Sequence, residues 1–318
     1  MASPHRPTPV FTGGTGRSGT TIVANLLTRH PEILTSTPRE IRFLTDQSGL
    51  LDLVYGPKWA LDRITGADAL YNMLVSFTLR QNQRRGFAVF EKKLRGPFFE
   101  RVSKLGVQNG LVRDLSREDL EAALAKLDAN LDSDAHAAAR EFFFDIVTHQ
   151  TRLEPGHKVW IDTTPLNVAN SDRTSKLLPE AKFIYMMRDG RETVASVMKE
   201  PWGPNDPFIG LEWWARRTRA SHKALQSVDP AQVLTLQLED LVAHDRERSI
   251  STLLNFVGLD EAPRLRKYFD EQVAVDRVRA GKWRESIGGS AADRFDATYR
   301  KIHAKLAADG VGVPPLND

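Results

Sequence analysis

The chain reads as an α/β protein with a mostly parallel central sheet flanked by helices. Two observations predict this. Strand-like and helix-like segments alternate through the second half of the sequence, and a strand, a glycine-rich loop and a helix follow one another at its start. With 318 residues, 41% hydrophobic and 27% charged, the chain can build one large domain or two small ones. No internal repeat or low-complexity linker divides it. The economical reading is a single domain over 1–318, with residues about 50–155 a helical insertion after the first βα unit.

Pro9 to Thr12 is a short strand-like run, followed by Gly13-Gly14-Thr15-Gly16-Arg17-Ser18-Gly19-Thr20-Thr21 and by apolar residues at helical spacing over Ile22 to Leu27. From about Leu50 to Leu153 the pattern is helical, clearest over Arg117 to Leu131 and Ala137 to Val147, with no obvious strand. Alternation then returns. It runs strand Lys158 to Asp162, helix Leu166 to Leu178, strand Ala181 to Met187, helix Arg191 to Lys199, helix Pro207 to Ser227 and strand Gln232 to Leu238, with more helices beyond.

Composition excludes several functions. The 44 basic and 41 acidic residues leave +3, evenly spread, which is no nucleic-acid footprint. Zero cysteines exclude disulfides, Cys-ligated zinc and thiolate catalysis, and suit a reducing compartment. Met1 to Val10 holds three prolines and no signal-like apolar run, and no stretch of eighteen apolar residues occurs. The expectation is a cytoplasmic protein without a membrane span.

A glycine loop between strand and helix offers backbone N–H groups and the positive end of a helix dipole to an anion. Two patterns overlap here. Gly14-x-Gly16-x-x-Gly19 fits a dinucleotide fingerprint, and Gly14 to Gly19 fits the frame of a Walker A loop. Thr20 stands where a Walker A loop needs lysine, and Glu40 has the spacing of a ribose-binding acid but does not end an apolar run. Arg17 inside the loop, with hydroxyls at Ser18, Thr20 and Thr21, suits a guanidinium acting on a leaving-group oxygen. A second anion site is written in Ile184 to Ser196. There a strand ends in Arg188 and turns into a helix carrying Ser196, so that Arg and Ser are expected to converge at one helix N-terminus. Carboxyl ends of strands line the ligand crevice in such sheets, and two anion sites imply a ligand with two separate phosphates.

These motifs carry a family resemblance. Gly16-Arg17-Ser18-Gly19-Thr20-Thr21 resembles the 5′-phosphosulfate loop of sulfotransferases, in the Arg form of tyrosylprotein and many bacterial members. Arg188 to Ser196 resembles their 3′-phosphate motif, Leu238-Glu239-Asp240-Leu241 their "YEDL" strand end, and Gly281-Lys282-Trp283-Arg284 the glycine-Trp-basic loop that closes over the nucleotide. The matches run from residue 12 to about 288. They imply a P-loop-like fold and PAPS (3′-phosphoadenosine 5′-phosphosulfate) as donor, with PAP as product and no required metal. Many relatives sit behind a membrane anchor.

Thr37-Pro38-Arg39-Glu40-Ile41-Arg42-Phe43-Leu44 resembles the Lys-Glu-x-x-Phe-Phe segment of heparan-type members, whose Glu is the general base. The bland alternative for Glu40 is a surface salt bridge to Arg39 or Arg42. Trp160-Ile161-Asp162-Thr163-Thr164-Pro165 resembles a "DKTP" segment, with Thr163 where many relatives have a catalytic lysine. Leu238 likewise replaces a tyrosine that meets adenine in cytosolic members, which leaves Trp283 or backbone for that contact. Arg277 or Arg279 could join the 3′-phosphate site.

The sequence thus points to Glu40 and Arg17 as catalytic residues. Nucleotide contacts fall to Gly16, Arg17, Ser18, Gly19, Thr20, Thr21, Arg188, Ser196, Arg277, Gly281, Lys282, Trp283 and Arg284. The acceptor is a small molecule, glycan, lipid or natural product, and oligomeric state is not legible. A nicotinamide-dependent oxidoreductase, an ATP-dependent kinase and a non-catalytic PAP-binding module are the rival readings.

Overall fold

The computed structural model describes residues 6–58, 83–102, 106–151, 153–154, 156–274 and 282–316. In chain order, β1 (Thr8–Gly14) leads to α1 (Thr20–Leu27) and β2 (Ile33–Thr35). Then come α2 (Leu50–Tyr55), α3 (Gln83–Lys93), α4 (Arg117–Asn130), α5 (Ala135–Thr151) and β3 (Val159–Asp162). The alternation follows with α6 (Ser171–Leu177), β4 (Lys182–Met187), α7 (Gly190–Val197), α8 (Pro207–Leu225) and β5 (Val233–Gln237). Four helices end the chain: α9 (Arg246–Val257), α10 (Pro263–Gln272), α11 (Trp283–Ile287) and α12 (Gly289–Ala308).

The five strands form a parallel sheet in the order β2-β3-β1-β4-β5. Ile33 pairs with Val159 at one edge, and Phe183 to Met187 pair with Val233 to Gln237 at the other. All of β3 and all but the first residue of β1 and of β4 are buried, as expected where both faces of a parallel sheet are covered. The chain divides into two compact units, one of residues 1–10, 31–164 and 173–181, the other of 11–30, 165–172 and 182–318.

The first unit is built on aromatic packing. Phe142, Phe143 and Phe144 of α5 are buried, with Phe143 edge-on to Trp160 of β3 at 5.5 Å and Phe142 edge-on to Phe43 and Phe90 at 5.9 and 5.6 Å. The Trp160 indole N–H donates to Ser36 Oγ at 3.0 Å, so the buried ring has no orphaned polar atom. Helix α4 begins at Ser116, whose hydroxyl accepts the Asp119 amide, and packs against α5. Between Leu50 and Leu153 the one β pairing among the described residues is the isolated bridge Val102 to Gln108.

In the second unit Phe11 stacks on Phe183 at 5.8 Å, and Trp214 packs against Tyr299 of α12 at 5.3 Å. One element differs from the sequence reading. The helix expected over Leu166 to Leu178 is a 3-10 turn, Pro165–Asn170, followed by α6. Asn167 donates its amide to the Thr12 carbonyl at 3.2 Å, and the Val168 nitrogen lies 2.7 Å from where a Cβ on Gly13 would stand. The turn is pressed onto β1 too tightly for the wider α-helical coil.

Candidate functional site

β1 and β4 are neighbours, so the turns after them lie side by side at the carboxyl edge of the sheet. After β1 the chain must bend sharply. A Cβ on Gly14 would meet the Met186 carbonyl and the Ser18 hydroxyl at 2.5 Å each, which excludes any side chain. The loop then takes left-handed backbone at Gly16 (φ 86°), Arg17 (φ 57°) and Gly19 (φ 98°). For a residue with a Cβ, as at Arg17, that conformation costs about 1 kcal/mol. No side chain caps α1, so amides of its first turn are left for an external acceptor. The Ser18 hydroxyl is buried without a protein partner. An uncapped helix start, an orphaned buried hydroxyl and a guanidinium in one loop are the features an anionic group would satisfy.

The turn after β4 is joined to this loop. Arg188 Nη1 donates to the Arg17 carbonyl at 3.1 Å, while Arg17 Nε donates to Ser196 Oγ at 3.2 Å and its Nη1 lies 3.2 Å from Glu200. Ser196 sits in the last turn of α7, not at its start, because the intervening residues are helical and rise about 1.5 Å each. The amide at the start of α7 is taken by Asp189, which accepts the Arg191 N–H. Arg and Ser therefore do not converge at one helix N-terminus as the spacing suggested. Ser196 meets Arg17 instead.

Buried carboxylates hold Arg188. Glu192 lies 3.4 Å from its Nη2 and also accepts the Trp283 backbone N–H at 3.2 Å. Glu239, two residues after β5, accepts the Asp189 amide at 3.1 Å. Burial lowers the Arg188 pKa and raises that of Glu239, each offset by charge: Glu192 and Glu239 favour the guanidinium, and the Asp189 amide and Arg188 favour the carboxylate. Arg217 of α8 is also buried; it donates to the Thr15 carbonyl at 3.0 Å and stacks on Trp213 at 4.8 Å. Sequence reasoning missed Glu192, Glu200 and Arg217. The Trp213-x-x-x-Arg217 spacing, one helical turn, was the available signal.

Trp283 is buried against Phe295 at 5.6 Å, with the guanidiniums of Arg284 and Arg191 at 4.5 and 5.2 Å from its ring. Arg284 also pairs with Asp293 at 3.1 Å, and Lys282 is exposed at the start of α11. Arg277, Arg279 and Gly281 lie outside the described residues.

In the first unit, the Glu40 segment is fastened to the end of β3. The Asp162 carboxylate accepts the Ile41 and Thr164 amides at 2.9 and 3.0 Å, and the Thr163 amide and hydroxyl donate to the Arg39 carbonyl at 3.0 and 3.4 Å. Thr163 thus braces the backbone beside Glu40. Glu40 itself pairs with Arg42 at 3.0 Å, and with 35% of its side chain exposed it is open to an incoming molecule.

The sequence model of the sulfotransferase family matches residues 9–263. The chain belongs to that family, whose chemistry is sulfuryl transfer. Among solved structures it is similar to the sulfotransferase domain of the curacin biosynthetic pathway, at 14% identity and TM-score 0.51 over 98% of this chain and 100% of that one. It is also similar to the sulfotransferase domain of the Synechococcus PCC 7002 olefin synthase, at 16% identity and TM-score 0.49 over 99% of each chain. Among the described residues no helix is long and apolar enough to cross a membrane.

Proposed function

We propose that the chain transfers the sulfuryl group of PAPS to a hydroxyl or amine of an acceptor. The observation that carries this is the direct bond from Arg188 to the carbonyl of Arg17, which places two cationic turns at adjacent strand ends. One ligand with phosphates at both ends of an adenosine suits them. In this reading the loop amides, Ser18, Thr20 and Thr21 hold the 5′-phosphate, and Arg188 and Ser196 hold the 3′-phosphate. Gly281, Lys282, Trp283 and Arg284, with Arg277, belong to the segment beside the nucleotide.

Glu40 takes the acceptor proton as the acceptor oxygen or nitrogen bonds to sulfur. The S–O bond to the donor phosphate breaks, its electron pair stays on that phosphate oxygen, and Arg17 stabilises the charge gathering there. The products are PAP and the sulfated acceptor. Ser196 and Glu200 hold the Arg17 guanidinium in the free protein. Residues about 50–155 contribute to the acceptor side of a single catalytic domain, and the cysteine-free composition suits a cytoplasmic setting.

Calorimetry with PAP is the direct test. Micromolar or tighter binding is expected, and NADPH binding with no uptake of PAP would overturn the reading in favour of an oxidoreductase. Incubating labelled PAPS with the protein and a cell extract then identifies the product class. PAP binding without transfer to any component would leave only a binding module.

A further inference from the structure

The two terminal nitrogens of Arg188 are fixed on two different acceptors. Nη1 donates to the Arg17 carbonyl at 3.1 Å, and Nη2 donates to Glu192 Oε2 at 3.4 Å. Together these bonds set the plane of the guanidinium, since either one alone would let the fork turn about it. Glu192 stands in the first turn of α7 and is 6% exposed. Its other oxygen, Oε1, accepts the backbone N–H of Trp283 at 3.2 Å. One buried carboxylate therefore faces two donors that lie far apart along the chain.

The neighbouring residue completes the joint. Arg191 is bound by Asp189 of its own turn and by Asp296 of α12, and its guanidinium lies 5.2 Å from the Trp283 ring. Successive residues of α7 thus hold Trp283 at two points, Arg191 at the ring and Glu192 at the amide. A carboxylate is the group this place requires. Both its oxygens accept, whereas an amide of the same shape would turn an NH2 group toward one of the two donors. Aspartate would keep the charge but lacks the methylene needed to span both partners.

We infer that Glu192 is a positioning residue for the nucleotide, orienting the Arg188 fork toward the 3′-phosphate and tying that orientation to the seat of Trp283. The inference rests on the PAPS reading and deepens it. Its consequence is selectivity: preference for a nucleotide with a 3′-phosphate over one without it depends on a carboxylate that acts through Arg188.

The test measures, by calorimetry on the full chain, the affinities for PAP and for adenosine 5′-monophosphate, which has no 3′-phosphate. Wild type is expected to prefer PAP about 30-fold or more. Glu192→Gln and Glu192→Asp, each able to keep only one of the two bonds, should weaken PAP about five- to twentyfold and change adenosine 5′-monophosphate by about twofold at most. Added to Arg188→Ala, Glu192→Gln should shift PAP affinity by no more than about twofold, because the fork it orients is gone. Equal weakening of both nucleotides, a further loss on top of Arg188→Ala, tighter PAP binding, or no change in either variant overturns the inference and leaves the nucleotide site standing. Loss of the cooperative melt in both variants assigns Glu192 to the fold and overturns it too. A wild type without preference for PAP strikes the underlying reading instead.

Discussion

The turn after β4 and the segment around Glu40 both carry arginines beside carboxylates, but they are built to different standards of rigidity. Arg188 is largely buried and held by Glu192, by the Arg17 carbonyl and by the charge of Glu239. Glu40 and Arg42 are each more than a third exposed, and Asp162 and Thr163 fasten only the backbone beneath them. The contrast fits a ligand that never varies on one side and a reacting group that must approach and leave on the other. Buried charge pairs are expensive to break because the surviving partner is left desolvated, whereas exposed pairs contribute little to stability and rearrange freely.

Four substitutions sharpen or break that comparison. The largest effect is expected from Glu40→Gln, which removes the proposed base and leaves its shape: kcat should fall by about 10²- to 10⁴-fold with PAP affinity intact. Turnover at the wild-type rate, measured with labelled PAPS, would take the base assignment away. Next comes Arg188→Ala. Loss of a charge-assisted contact of about 1.5–3 kcal/mol should weaken PAP about 10- to 150-fold by calorimetry. An unchanged Kd would mean that the rigid turn is structural only.

Arg217→Ala is a smaller change, since Arg217 touches the loop and would act on a bound nucleotide only through it. Removing its bond to the Thr15 carbonyl should raise the KM for PAPS about two- to tenfold, leave the KM for the acceptor alone, and be partly rescued by Arg217→Lys. Equal effects on both KM values would indicate general loosening of the fold. The smallest effect concerns Glu239, whose pKa burial raises above its ordinary 4.5. Such a carboxyl favours folding while protonated, and that contribution is lost as pH rises through the raised folded value. Glu239→Gln should therefore melt about 1–3 °C above wild type at pH 7, and the gap should close toward pH 4. A gap of the opposite sign would show that the Arg188 pairing outweighs desolvation.

How much of this was legible beforehand follows from the kind of signal each part leaves. The α/β alternation and the loop between β1 and α1 were readable because periodicity and glycine position are local properties. Arg17 and Arg188 could be singled out for the same reason. Ser196 could be singled out but not its bond to Arg17, since its place at the far end of α7 depends on how helix and loop pack. Glu192 and Glu200 left no mark, because a lone carboxylate reads as solvated until the fold pairs it, and Arg217 left only its spacing from Trp213. The 3-10 turn at Pro165–Asn170 was hidden too: only contact with β1 forbids the helix its composition permits.

The left-handed backbone at Arg17 carries a last consequence. Glycine would sit there without strain, so Arg17→Gly should yield a more heat-resistant protein and, on the role proposed for Arg17, one that no longer transfers a sulfuryl group. Screens that reward thermal endurance alone would drift toward that dead variant. On that reading, any effort to harden this protein must keep this uncomfortable residue in place.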